Sequence, residues 1–275
     1  MNSRSYLLAE EDDAFLKSDE TYGIRLELDY LKTELELKRH GIERTVVIFG
    51  GTRVLEAGDA QNKLDELLQQ VSKDPDNKEL LRNIEIARNV RAKSHYYDVS
   101  RKLGAMIGEA GHGSDDCRLT LVTGGGPGIM EAANRGAADV GAKSIGLNIV
   151  LPMEQEPNPY VSSELSFQFH YFAIRKLHFM KRASALIAFP GGMGTLDELF
   201  ETLTLVQTGK MEALPIILVG TSYWRQLVNL EFMADEGVIS DEDLNLFSYA
   251  ETAEEVWESI EQWYQSRGKV FIDQS

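Results

Sequence analysis

Cysteine is nearly absent: Cys117 alone among 275 residues leaves no internal disulfide and too few thiolates for a cysteine-based zinc site. That suits a reducing compartment, so a cytoplasmic location is expected. Basic side chains are also scarce, with 28 Lys and Arg against 44 Asp and Glu, a formal net charge of -16 and a sequence pI near 4.8. Nucleic-acid surfaces are built from clustered Lys and Arg, so no nucleic-acid partner is expected and a small ligand is. No apolar run approaches the ~18 residues of a membrane span, and the opening Met-Asn-Ser-Arg-Ser-Tyr-Leu-Leu-Ala-Glu-Glu-Asp-Asp has no apolar core of signal-peptide length. No membrane partner is expected. The G-x-x-x-x-G-K-[ST] loop is missing, and with it the lysine of a nucleotide triphosphatase.

What is present is a chain with 43% hydrophobic residues, enough for one large core or two modest ones, and one decorated domain is expected. Apolar runs at 45–49, 119–123, 144–150, 167–170, 185–189, 214–220 and 247–250 read as strands, and amphipathic segments separate them. Strands alternating with helices indicate an α/β fold with a doubly wound, mostly parallel sheet of modified Rossmann-like type, its ligand at the carboxyl ends of the strands. The expected organisation is an arm and N-terminal helix over 1–41, then a domain over 42–275 with a helical hairpin inserted at about 54–93. In the first helix Ile24, Leu26, Leu28, Leu31, Leu35 and Leu37 form an apolar set ended by Gly41, expected to dock on the core or on a second subunit. One helix is expected over 224–235. The proline-containing segment 151–161 reads as irregular, a lid over the site.

The densest stretch is 184–201, a buried strand, a glycine turn and an acidic helix start. Gly191, Gly192 and Gly194 can take positive φ and let backbone approach a ligand, and Thr195 is placed to cap a helix beginning near Leu196. Free N–H groups there would hold a phosphate. Asp197 and Glu198 then fall in the first turn, where carboxylates suit the dipole but repel an anion, so at least one should face something cationic or electron-poor. An ordinary strand-turn-helix corner has the same local pattern.

A second glycine turn, Gly124-Gly125-Gly126-Pro127-Gly128, also follows a strand. It fails as a dinucleotide fingerprint, because the third glycine would fall at Ile129 and Asn148 stands where an acid would grip a ribose diol. Two glycine turns at two strand ends suit one phosphorylated ligand held between them.

Pro190-Gly-Gly-Met-Gly-Thr-Leu-Asp-Glu198 matches P-G-G-x-G-T-x-x-E, and Arg175-Lys176 precedes Glu198 by the appropriate interval. With Gly124-Gly-Gly-Pro-Gly-Ile-Met-Glu-Ala-Ala-Asn134 and Phe-His-Tyr-Phe-Ala-Ile-Arg-Lys176, the chain resembles the longer bacterial branch of the LONELY GUY (LOG) family, long described as possible lysine decarboxylases. The resemblance spans about 42–253 apart from the helical insert. It departs at Phe179, where plant-type members carry Met and Met180 comes one later, a change that bears on base preference.

The resemblance implies hydrolysis of the N-glycosidic bond of a nucleoside 5′-monophosphate, such as AMP or a cytokinin riboside monophosphate, to a nucleobase and ribose 5-phosphate. It implies no cofactor or metal. It carries catalysis to Arg175 and Glu198 and nucleotide contact to Lys176, Gly191, Gly192, Gly194, Thr195 and Thr204, and it implies a homodimer or higher homo-oligomer. Chemistry agrees: a carboxylate at Glu198 would stabilise an oxocarbenium-like sugar and orient water. Gly124, Gly125, Gly126 and the turn from Gly191 to Thr195 would supply N–H donors to phosphate, and Arg175 either clamps that phosphate or assists departure of the base. His170 and His178 are read as structural. Pyridoxal-dependent decarboxylation needs a Schiff-base lysine that no motif fixes. The competing reading is a protein that carries a nucleotide or other phosphorylated cofactor without chemistry.

Overall fold

Seven short apolar segments join into one sheet in a computed structural model that describes residues 4–111, 118–151 and 156–272. They are β1 (Arg44–Phe49), β2 (Leu119–Thr123), β3 (Ser144–Ile149), β4 (Ser166–Phe169), β5 (Ala183–Ala188), β6 (Ile216–Val219) and β7 (Ser248–Ala250). Their order is β4-β3-β2-β1-β5-β6-β7, and every pairing is parallel. Crossover helices cover both faces of such a sheet, which is why the central strands are apolar throughout. Val46, Val47, Ile48, Leu186, Ile187 and Ala188 are all fully buried. Strand order runs outward in both directions from β1, so the reversal lies between β1 and β5. A crevice opens there beyond the strand carboxyl ends.

The helices are α1 (Asp13–Leu16), α2 (Tyr22–Arg39), α3 (Ala57–Val71), α4 (Lys78–Ala92), α5 (His95–Ala110), α6 (Ile129–Asp139), α7 (Phe172–Lys181), α8 (Met193–Gln207), α9 (Thr221–Leu227), α10 (Leu230–Asp235) and α11 (Ala253–Gln265). The hairpin of α3 and α4 closes on its own small cluster of Leu64, Ile84 and Ala87. Asn77 caps α4, its side-chain oxygen accepting the N–H groups of Glu79 and Leu80 at 3.1 Å. The aromatic stripe of α11 belongs to the core: Val256 and Ile260 are fully buried, with Trp257 and Tyr264 packed beside them. Among the described residues no helix is long and apolar enough to cross a membrane. Cys117 and residues 152–155 of the expected lid lie outside the described residues.

The single helix expected over 224–235 is two. Val228 is extended at φ -137° and ψ 122°, and Asn229 caps the second piece by accepting the Phe232 N–H at 3.0 Å. An asparagine that satisfies a free helix donor starts a new helix where an apolar count reads straight through.

Helix α2 matters because it holds α7. Asp29 accepts the N–H groups of His170 and Tyr171 at 3.0 and 3.1 Å, just before α7 begins. Tyr30 stacks on His178 with ring centroids 5.1 Å apart, and His178 Nε2 lies 3.2 Å from the Tyr30 carbonyl oxygen. Burial lowers the His178 pKa to about 4, so the ring is a neutral packing group. Buried Glu34 meets Lys38, Lys181 and Arg182 at 3.0 to 3.2 Å. Burial alone would raise its pKa, but hydrogen bonds from Arg182, Lys181 and Lys38 outweigh it and hold the carboxyl at about 2. Removing one partner of a buried pair strands the others. Glu34→Ala is therefore expected to cost about 3 kcal/mol, read as a lowered urea midpoint at pH 7. Because the folded pKa is depressed, this contribution is present above about pH 4.5 and fades as pH falls through about 2. Docking is one-sided: Thr33, Glu34 and Leu37 are buried, while Ile24, Leu28, Leu31 and Leu35 form an exposed apolar stripe.

Candidate active site

The turn after β5 is built differently from the sequence reading. Helix α8 starts at Met193 with Gly192 as its N-cap, and its first intrahelical bond runs from Leu196 N–H to Gly192 O at 3.1 Å. Thr195 is thus inside the first turn and buried, not the cap. None of Gly191, Gly192 and Gly194 has positive φ. Gly191 is needed for closeness, since a Cβ there would stand 2.1 Å from Thr195 Oγ1, whereas Cβ positions at Gly192 and Gly194 would meet nothing within 4 Å. Those two glycines leave the helix N-terminus, with its unsatisfied N–H groups, open to a ligand. Tyr223 pins the turn by donating its hydroxyl to Gly191 O at 2.5 Å.

The earlier start also moves the acids. Asp197 and Glu198 fall in the second turn, and no acid occupies the first. Gly194 and Glu198 are four apart and share a face. A carboxylate then sits about one turn, ~5 Å, deeper than the anion-binding end, where it need not repel the anion directly.

A cavity of about 230 Å3 lies over this face. Gly194, Thr195, Asp197 and Glu198 come from α8 and Gly192 from its N-cap, Phe172 and Arg175 from α7, and Met130 from α6. The opposite wall is Gly50, Gly51 and Thr52, the turn that follows β1. The cavity therefore sits at the strand-order reversal. Gly51 O accepts the Ile129 N–H at 3.2 Å, and a Cβ at Gly50 would lie 2.5 Å from the Ile129 side chain, so the β1 turn and the start of α6 interlock.

Within the cavity Glu198 is only 4% exposed, and its Oε2 has no hydrogen-bond partner among the described residues. Burial raises its pKa to about 7 against the opposing charges of Lys176 and Arg175. Arg175 is held in place by donating from Nε to Leu147 O at 2.7 Å, with its guanidinium 5.2 Å from the Phe179 ring centroid. Burial lowers its pKa and the Glu198 charge partly restores it. Phe179 is fully buried against Phe49, with centroids 4.7 Å apart. The Phe179 departure thus acts under the arginine and not as part of the cavity lining.

Of the residues singled out from sequence, the cavity gathers Arg175, Glu198, Gly192, Gly194 and Thr195. Lys176 turns to α8 instead, bonding Asp197 at 2.8 Å and Glu201 at 3.0 Å. Thr204 is exposed and donates to Phe200 O at 2.7 Å. Six residues past Glu198 puts it about 240° around the helix. Gly124, Gly125 and Gly126 are buried behind the cavity rather than lining it. Asn158 ties the Gly125 and Gly126 carbonyls down at 3.1 and 3.0 Å. Gly124 backs the arginine, since a Cβ there would stand 2.6 Å from Arg175 Nη2. The residues missed are Phe49 to Thr52, Met130 and Phe172; the first group carried the same strand-then-glycine signal as the other two turns.

A family model described as "Possible lysine decarboxylase" matches residues 130–260. Cytokinin riboside 5′-monophosphate phosphoribohydrolase LOG of Oryza sativa subsp. japonica is 29% identical over 175 residues, covering 62% of this chain and 68% of that protein. Probable cytokinin riboside 5′-monophosphate phosphoribohydrolase LOG6 of Arabidopsis thaliana is 30% identical over 149 residues, covering 53% of this chain and 73% of that protein. The X-ray structure of TM1055 aligns with 80% of this chain and 99% of its own at 21% identity, with a TM-score of 0.47. On its 30% identity to the Arabidopsis thaliana relative, across 73% of that protein, the chain belongs to the LOG family.

Proposed function

We propose that the chain hydrolyses the N-glycosidic bond of a nucleoside 5′-monophosphate, of the AMP or cytokinin riboside monophosphate type, to a nucleobase and ribose 5-phosphate. The observation that carries this reading is the pairing of Arg175 and buried Glu198 in one cavity whose rim is a helix N-terminus without a side-chain cap. The 5′-phosphate sits on the N–H groups at Gly194 and Thr195. The ribose lies one turn deeper, beside Glu198. Phe172 and Met130 supply an apolar surface for the base. Arg175 is beside that surface, since a Cβ at Gly124 would stand 2.6 Å from Arg175 Nη2 and 3.0 Å from Met130 Sδ, and this neighbourhood favours Arg175 as the group that assists base departure over a phosphate clamp.

In the reaction the C1′–N bond breaks and its electron pair goes to the base. The ionised Glu198 carboxylate stabilises the positive sugar and takes a proton from the water whose oxygen bonds C1′. The departing base takes up one proton from solvent and Glu198 returns its own to solvent, so in sum water is split between the two products. Arg175 favours the electron-rich leaving base electrostatically. Lys176 acts at one remove, by neutralising Asp197 and Glu201 on either side of Glu198. A homodimer or larger homo-oligomer is proposed with this activity, supported by family resemblance and by the exposed Ile24, Leu28, Leu31 and Leu35 stripe.

Incubation with AMP and other purine and pyrimidine monophosphates, followed by chromatography, is expected to yield free base and ribose 5-phosphate in a 1:1 ratio. If no monophosphate yields base while AMP still binds, the carrier reading replaces this one.

A further inference from the structure

A second cavity, of about 470 Å3, adjoins the first and shares Gly51, Thr52 and Gly192 with it. Its outer wall is α4 of the inserted hairpin, through Ile86, Asn89 and Val90, with Lys93 at the helix end. The two cavities differ in charge. The first holds Arg175 with Asp197 and Glu198, whereas the second holds Arg53 and Lys93 and, among the described residues, no carboxylate. In a chain with 44 acids and 28 bases, a wall that carries two cations and no acid is suited to an anion. Neither cation is neutralised from within the fold: Arg53 has no ion pair among the described residues, and Lys93 donates only to the Asn89 carbonyl at 3.3 Å.

We propose that this cavity is a subsite for a second phosphate, so that the chain binds nucleoside 5′-diphosphates and other pyrophosphate-bearing nucleotides in preference to monophosphates. This rests on the reading that places the 5′-phosphate on the N–H groups at Gly194 and Thr195, because Gly192, the cap of that same helix end, lies on the border between the cavities. A phosphate seated there points its next phosphate along the shared edge, between the guanidinium of Arg53 and the ammonium of Lys93. The guanidinium fork suits phosphate oxygens, and Lys93 adds a point charge. The inserted hairpin thereby acquires a role, as the wall that presents Lys93 and shelters the pair of cations from one side.

The test is calorimetric titration of AMP and of ADP, in metal-free buffer, into full-length Glu198→Gln protein so that turnover does not contribute heat. ADP is expected to bind about ten-fold or more tightly than AMP, and the preference is expected to shrink with added salt. In the same protein carrying Arg53→Gln and Lys93→Gln, the ADP-to-AMP affinity ratio is expected to fall close to one. ADP binding no tighter than AMP, or a preference that survives both substitutions, would overturn the proposal. Base release from AMP by the unsubstituted protein is measured separately. A protein that prefers ADP but releases no base would keep the subsite and lose the hydrolase reading; one that releases base without preferring ADP would do the reverse.

Discussion

Replacing Glu198 with Gln is expected to lower kcat for base release at least about 10³-fold while AMP affinity changes by no more than a few-fold. The carboxylate interacts with charge that exists only as the C1′–N bond breaks, so its loss appears in kcat and not in ground-state binding. The same variant has a second signature. Glu198 is buried with an unpartnered oxygen, and its folded pKa is raised to about 7. A carboxyl with a raised folded pKa contributes full stability below about pH 4.5, and that contribution is lost as pH rises through about 7. A neutral amide removes this penalty. Glu198→Gln is therefore expected to stabilise the fold by up to about 3 kcal/mol at pH 8 and to change little at pH 4. Thermal unfolding across pH and steady-state kinetics on one protein preparation check both halves. Gain of stability with loss of turnover is the pattern of a charge retained for chemistry. In the parent protein the ionised carboxylate is the active form, so kcat/KM is expected to fall as pH drops below about 7.

Arg175→Lys is expected to cost about 10²-fold in kcat, with KM for AMP within a few-fold of the parent. Lysine keeps the charge but not the geometry. Arg175 spends Nε on Leu147 O and rests over Phe179, which leaves its terminal nitrogens fixed beside the cavity. An ammonium on a flexible stem reproduces neither contact. The split between constants separates the two roles that sequence left open: a phosphate clamp would raise KM, whereas assistance to the leaving base lowers kcat. A rise in KM of ten-fold or more at unchanged kcat would return the arginine to the phosphate.

The sheet was legible because parallel strands covered on both faces leave continuous apolar runs. All seven strands fall within a residue or two of their sequence-derived bounds. Arg175 and Glu198 were legible because their motifs carry them. What sequence could not supply was which strands become neighbours. Gly50 to Thr52 and Gly124 to Gly126 offered the same strand-then-glycine signal. Only the placement of β1 beside β5 decides that the former faces the cavity. The fate of the latter was set by Asn158, more than thirty residues away in sequence. Thr195 misled because threonine is a common cap, yet here its side chain packs into the space left by Gly191 and a glycine caps instead. Lys176 follows Arg175 by one residue, about 100° around a helix. It is directed at Asp197 and Glu201 and outside the cavity lining.

The most direct measurement is a crystal structure of Glu198→Gln protein soaked with AMP. The account requires the phosphate on the N–H groups at Gly194 and Thr195, with C1′ of the ribose facing residue 198 and the base on the side of Phe172 and Arg175. A nucleotide bound with its ribose turned away from both residue 198 and Arg175, in every protomer, would contradict it.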